Sequence, residues 1–353
     1  MNDTAVEPFP TAASPNSNAY PEPLTVTNVD TAIEADPTAA PDADDGYATD
    51  TSSSRVSTSI SSSVRDYTFE NNRRYHKFRE GAYNFPNDEP EQDREDMKHA
   101  MVVNLCNGRL HFAPLENPQK ILDIGTGTGI WAIDMGDEFP GAGVLGIDLS
   151  PIQPIWIPPN VSFMIDDAEA NWTHKPGSFD YIHIRHMTSS IKDWPKLMSQ
   201  AYTTLKPGGW IELQELRFII MCDDGTLTED DPVSGFIKNV RKGLAAVGVD
   251  LLAMEKNSTN LQAAGFVNVN EKIFKVPLGT WPRDPKMKTI GLYNQYIIED
   301  GLQGIAMGPF TRGLQWAPEA VELYLMGVRK GLRNSRVHSY YPFHAVIGQK
   351  PLS

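Results

Sequence analysis

Between residues 120 and 215 the chain alternates short apolar runs with polar, turn-rich stretches. Lys120 to Ile124, Gly143 to Ser150, Val161 to Ile165, Phe179 to Arg185 and Trp210 to Gln214 are each short apolar runs bounded by turn residues, which predicts buried strands. Ile130 to Met135 reads as a short helix closed by Phe139-Pro140-Gly141. Leu205-Lys206-Pro207-Gly208-Gly209 reads as a helix end followed by a turn. Further on, Leu261 to Phe266 is a helix end with a glycine stop, and Val267 to Val276 and Tyr341 to Gly348 are two more strands. About 60 residues separate them, too many for a bare loop, and Leu292 to Ile298 and Ala317 to Leu332 are helix candidates there. Near the start, Met97, Met101, Val102 and Leu105 fall on one face of a helix over Glu91 to Cys106.

The first strand runs into Gly125, Gly127 and Gly129, and glycine lets backbone approach a ligand. The dinucleotide fingerprint wants a further glycine where Ile130 stands, and a P-loop wants Gly-Lys-Ser/Thr where the chain has Gly129-Ile130-Trp131. Asp123, just before the glycines, suits a cationic amino-acid moiety better than a phosphate. The ammonium and sulfonium of S-adenosylmethionine fit that requirement; a tight turn without a ligand is the plain alternative. Asp148 ends the second strand about 20 residues later, where an acid can grip ribose hydroxyls or simply cap a helix. Asp167 with Ala168, after the third strand, suits an adenine edge, and Asp166 competes for that place.

Taken in order, Asp123-x-Gly125-x-Gly127-x-Gly129, Asp148, Asp167-Ala168, Phe179-Asp180 and Leu205-Lys206-Pro207-Gly208-Gly209 resemble a class I S-adenosylmethionine-dependent methyltransferase. Arg74-Tyr75-His76, Tyr83-Asn84-Phe85-Pro86-Asn87-Asp88-Glu89, Gln92-Asp93-Arg94, Leu110 to Leu115, Ile157-Pro158-Pro159-Asn160 and Ile191-Lys192-Asp193-Trp194-Pro195 narrow the resemblance to the fungal LaeA-like methyltransferases. It implies an α/β, Rossmann-like sheet of seven mostly parallel strands with an antiparallel last strand. It also implies a helical lid over 66–115 and a methyltransferase domain over 116–353, with a helical insertion at about 280–335.

For the site, the resemblance implies that Asp123 receives the methionyl ammonium and that Gly125, Thr126 and Gly127 let backbone reach the cofactor. Asp148 and Leu149 would meet the ribose side, Asp167 and Ala168 the adenine, and Arg185 the methionyl end. His183 and His186 lie near the end of the fourth strand; His186, just beyond it, is the better candidate for a general base, needed only if the acceptor is a protonated oxygen or nitrogen. Two functions share this site. One is methylation of a small molecule in fungal secondary metabolism; the other is a regulator acting in a nuclear complex with velvet-type proteins. The expected location is cytoplasmic and/or nuclear.

Composition narrows this further. Net charge is −14, and residues 1–65 carry ten acids and two arginines, so −8 lies in that segment. Being rich in Pro, Ala, Ser, Thr and Asp, it is expected to be disordered; the Ser/Thr run 49–63 reads as a solvated linker or a phosphate acceptor. The acidic balance argues against direct nucleic-acid binding. Cys106 and Cys222 form no disulfide framework or metal spacing, so no metal is expected. No secretory signal or membrane span is expected either.

Overall fold

The computed structural model describes residues 31–38, 67–70, 73–76, 78–79 and 85–353. Its first regular elements are an antiparallel hairpin, β1 (Tyr67–Glu70) with β2 (Arg73–His76), and a helix, α1 (Glu89–Leu105). The segment expected to be a helical lid thus contains a hairpin as well as a helix. Tyr83 and Asn84 lie outside the described residues, as does the Ser/Thr run 49–63.

The alternating core follows as β3 (Lys120–Ile124), α2 (Ile130–Glu138), β4 (Gly143–Asp148), β5 (Val161–Ile165), β6 (Phe179–Arg185), α3 (Trp194–Thr204) and β7 (Leu205–Leu216). After it come β8 (Met221–Cys222), α4 (Pro232–Ala246), α5 (Asn257–Ala263), β9 (Val267–Pro277), α6 (Pro285–Met307), α7 (Pro318–Leu332) and β10 (Ser339–Gln349). The sheet order is β5-β4-β3-β6-β7-β10, with both β9 and the two-residue β8 paired to β10. β3 to β7 run parallel, and β10 enters antiparallel between β7 and β9. Among the described residues the sheet has the expected seven strands, and β8 adds an eighth.

Strands in such a sheet are covered on both faces, which is why they read as near-continuous apolar runs. Along β3, Ile121 belongs to the core on the α1, α2 and α4 side, whereas Leu122 and Ile124 belong to the core on the α3 and α5 side. Helix starts follow a common grammar. Asp88, Asp193, Asp231 and Asp284 each accept from backbone N–H groups of the first turn, with a proline at the first or second helical position.

Two stretches depart from the expectation. Pro207-Gly208-Gly209 forms no separate turn; the partners of β6 jump from Phe179↔Leu205 to Tyr181↔Trp210, so these residues are a bulge inside β7. Gly208 takes φ +79° there, which glycine adopts without a Cβ penalty. Within the acidic segment, residues 31–38 have a defined place. Ala35 bridges Pro282, the Asp36 N–H donates to the Trp281 carbonyl at 2.8 Å, and Lys288 pairs with Asp36 at 2.6 Å. Backbone pairing and paired charge offset the ordering cost that composition alone leaves uncompensated.

In the insertion, α6 is longer than the expected helix over Leu292 to Ile298, whereas α7 matches the one expected over Ala317 to Leu332. α6 continues into a π-helical turn, Gly308–Gly313, and packs against α1, α7 and β9. Among the described residues no helix is long and apolar enough to cross a membrane, and no group of three or more His, Cys, Asp or Glu side chains could hold a metal.

Candidate active site

Strand order reverses between β3 and β6, and in open α/β sheets ligands bind beyond the carboxyl ends at that point. The glycine loop lies there. Gly125, Gly127 and Gly129 take φ +70°, +58° and +85°. A Cβ on Gly125 would stand 2.1 Å from Sδ of Met187, and one on Gly129 would stand 2.4 Å from the Phe163 ring. A Cβ on Gly127 would meet nothing within 4 Å. The outer glycines therefore leave room for Met187 and Phe163; Gly125 and Gly127 both border a cavity of about 220 Å³, and only Gly127 has open space where a Cβ would stand.

Asp148, at the end of β4, is tied to the same loop. Its Oδ2 accepts from the Gly127 N–H and its Oδ1 from the Ser150 N–H, both at 2.9 Å. Burial pushes its pKa up to about 6, against the pull of those N–H groups. Leu149, Asp166, Asp167 and Ala168 line the same cavity. The Asp167 carboxylate accepts from the Glu169 N–H at 2.9 Å and pairs with Arg79 at 3.2 Å.

Asp123 is 3 % exposed and lies deeper, against a second cavity of about 50 Å³. Its Oδ2 accepts from the Thr126 hydroxyl at 2.6 Å, and its Oδ1 is 2.8 Å from Nδ1 of His183. The His183 ring stacks on Trp131 at 3.6 Å, 8° from parallel. Burial lowers the His183 pKa although Asp123 pulls the other way. A neutral ring donating through Nδ1 leaves Nε2 as an acceptor, and Nε2 is buried with no partner among the described residues. His183 is thus a packed, oriented partner of Asp123.

Arg185 and His186 line both cavities. An Arg185 Nη2 donates to Nδ1 of His99 at 2.9 Å, and Nε2 of His99 is 2.9 Å from Asp134. His186 takes φ +57°, a left-handed conformation uncommon outside glycine, and its N–H donates to the Gln214 carbonyl. Burial, with Lys98 and Arg185 nearby, holds its pKa well below the usual histidine value. Its Nε2 is buried without a partner among the described residues.

Helix α1 and its approach are bonded to the loops of the site. The Thr128 hydroxyl donates to Asp96 at 2.6 Å, and Asn87 Nδ2 donates to the Ser150 hydroxyl at 3.2 Å. Arg73 of β2 holds Asp88, the cap of α1, through two hydrogen bonds of 2.5 and 2.7 Å. Glu91, Arg94, Glu95 and Lys98 face the main cavity from α1.

Sequence reasoning missed several contributors. Glu215 accepts from the Met187 N–H and the Thr188 hydroxyl, both at 2.8 Å, and fixes the turn after His186; burial pushes its pKa up to about 7. Asp96, Lys98 and the wall from α4 and α6 were also not anticipated. The Asp231-Pro232 and Asp284-Pro285 pairs could have marked those two helices.

The methyltransferase-domain family matches residues 97–230. A methyltransferase of Aspergillus terreus, PytC, is 42 % identical over 295 residues, 83 % of this chain and 91 % of that protein. A secondary metabolism regulator of Cochliobolus heterostrophus is 40 % identical over 289 residues, 80 % of this chain and 94 % of that protein. The chain belongs to the fungal LaeA-like methyltransferase family. Among solved structures, a Haemonchus contortus phosphoethanolamine N-methyltransferase in complex with S-adenosylhomocysteine aligns with a TM-score of 0.43 at 23 % identity, over 72 % of this chain and 52 % of that one.

The protein is therefore a methyltransferase of the S-adenosylmethionine-dependent fold, homologous to fungal secondary-metabolism proteins. The residues present suit that cofactor. Open space over Gly127 adjoins the Asp148 carboxylate, and acidic and basic side chains both border the loop, as an ammonium and a carboxylate would require.

Proposed function

We propose that this LaeA-like methyltransferase transfers a methyl group from S-adenosylmethionine to a small-molecule acceptor in fungal secondary metabolism. The observation that carries the proposal is one continuous cavity. It is bordered by Gly127 and Asp148 on the β4 side and by apolar side chains of α4 and α6 on the other.

When bound, S-adenosylmethionine supplies a methyl group on a positively charged sulfur, which leaves as a neutral thioether while keeping the electron pair of the broken carbon–sulfur bond. The chain's contribution is placement and exclusion of water. In this reading Asp123, held by His183 and Thr126, faces the methionyl ammonium directly or through water. Gly125, Thr126 and Gly127 offer backbone, Asp148 and Leu149 meet the ribose, Asp167 and Ala168 the adenine, and Arg185 the methionyl end. Asp96 and Asn87 hold α1 and its approach over the loop as a lid. For an O–H or N–H acceptor, the new bond forms from the acceptor's lone pair and the displaced proton goes to Nε2 of His186 or to water.

A second reading, a regulator acting with velvet-type proteins in the cytoplasm and/or nucleus, is favoured by exposed apolar side chains. Trp156 is 94 % exposed beside Ile155, in the loop after cavity-lining Ile152. Incubation with S-adenosylmethionine labelled on its methyl group and fractionated fungal extract separates the two. Label in an organic-soluble compound is the expected result; label confined to protein would replace the first reading with the second.

A further inference from the structure

The wall of the main cavity beyond the glycine loop is apolar. Phe218 after β7, Phe236 and Ile237 of α4, and Ile297 and Ile305 of α6 line it. The charges facing the cavity from α1 are mutually neutralised: Arg94 pairs with Glu91 and Glu95, and Lys98 pairs with Glu95 at 2.8 Å. Arg185 is bonded to His99. These two acids and two bases balance on α1; the further acids of the cavity, Asp148, Asp166, Asp167 and Glu169, lie on the β4 and β5 side, away from α4 and α6.

One polar residue of this wall, away from the glycine loop, ends in an unpaired group. Tyr341 of β10 is 4 % exposed, and its hydroxyl is buried with no hydrogen-bond partner among the described residues. Native proteins rarely leave a buried hydroxyl unpaired, because its desolvation is then uncompensated. A neighbouring polar residue illustrates the rule: Asn294, on the same cavity, donates through Nδ2 to the Pro277 carbonyl at 2.8 Å. Burial, with Asp231 nearby, raises the Tyr341 pKa far above its ordinary value, so the phenol keeps its proton and is a donor at any physiological pH.

We infer that the Tyr341 hydroxyl is an acceptor-recognition group, donating to a carbonyl or hydroxyl oxygen of an uncharged, largely apolar acceptor seated between α4 and α6. The inference rests on the methyltransferase reading, which puts the cofactor on the Asp148 side and leaves this chamber for the second substrate. It narrows that substrate to a neutral molecule with a broad apolar surface and at least one oxygen. The four charges of α1 are paired with one another, so that helix offers no unmatched charge to a phosphorylated or strongly basic compound.

The test uses 2-naphthol, naphthalene and 2-naphthoate as probes, read by ring fluorescence on protein saturated with S-adenosylhomocysteine. The wild type should bind 2-naphthol about tenfold more tightly than naphthalene, the scale of one hydrogen bond to an otherwise unpaired group, and should reject 2-naphthoate. Tyr341→Phe should bind 2-naphthol and naphthalene alike while binding S-adenosylhomocysteine as the wild type does. Should that variant not fold, Ile305→Trp, which fills the chamber, should lose 2-naphthol. The inference is overturned if the naphthol preference survives in Tyr341→Phe, if 2-naphthoate binds as well as 2-naphthol, or if the cofactor-loaded protein binds none of the three. Failure of the wild type to bind S-adenosylhomocysteine is a separate result that removes the methyltransferase reading itself.

Discussion

The Gly127 N–H and Oδ2 of Asp148 are 2.9 Å apart, so the loop after β3 and the end of β4 are joined at the point where the cavity opens. The carboxylate that would hold ribose hydroxyls is the same one that holds the loop. With its pKa raised to about 6, this carboxyl favours its neutral form in the folded protein more than in the unfolded chain. Its contribution to stability is therefore fully present below the ordinary carboxylate range and is lost as pH rises through about 6. If Asp148 holds the ribose hydroxyls as proposed, cofactor binding needs its charged form and runs the opposite way. Affinity for S-adenosylhomocysteine should fall as pH drops below about 6, and Asp148→Asn should flatten that part of the profile. Calorimetric titration between pH 5 and pH 8 checks this; an unchanged profile in the variant would remove Asp148 from the cofactor site.

His183 and Asp123 form a second such pair. His183→Phe keeps a ring against Trp131 but removes the donor to Oδ1 of Asp123. Leaving a buried acceptor short of one hydrogen bond should cost about 1–3 kcal/mol of stability and loosen the cofactor. Urea unfolding measures the first effect and calorimetry the second. A variant as stable and as tight as the wild type would show that the Asp123–His183 bond is idle.

Helix α1 is tied to the glycine loop through Asp96 and Thr128, and its cap is held by Arg73 of the hairpin. Deleting residues 1–60 should leave turnover intact, with some loss of melting temperature from the contacts of residues 31–38. Deleting residues 1–90 should abolish it. Steady-state rates on the two truncations decide the matter, and equal activity would end the lid role.

His186 is uncharged across the physiological range, because burial and neighbouring cations hold its pKa down. If it takes a proton from the acceptor, His186→Ala should lower kcat by about 100-fold or more on an O–H or N–H acceptor. Full turnover in that variant on the true acceptor would leave the proton to water.

Much of this arrangement was readable from the chain because strand ends announce themselves. Asp123, Asp148 and Asp167 each interrupt or close an apolar run, and a charge there demands a reason. The tight backbone turn at the glycine loop was readable because three alternate glycines mark conformations that side chains disfavour. The bulge at Pro207-Gly208-Gly209 was not, since a positive φ serves a turn and a bulge equally well. The chamber was not readable either. Phe236, Ile237, Ile297 and Ile305 sit on helices as core residues do, and only the assembled fold leaves space between them. The unpaired hydroxyl of Tyr341 belongs to the same class, because satisfaction of a polar atom is a property of three-dimensional neighbours. The place of residues 31–38 escaped composition because a few paired groups, Asp36 with Lys288 among them, outweigh the surrounding bias.

The most direct test of the central claim is calorimetric titration of S-adenosylmethionine into the wild type and Gly127→Arg, with melting curves to confirm that both are folded. An arginine side chain would enter the open space above Gly127, where the added Cβ itself meets nothing within 4 Å. Saturable binding to the wild type and none to the variant is the expected result. Equal affinity in both would contradict it and move the cofactor elsewhere in the molecule.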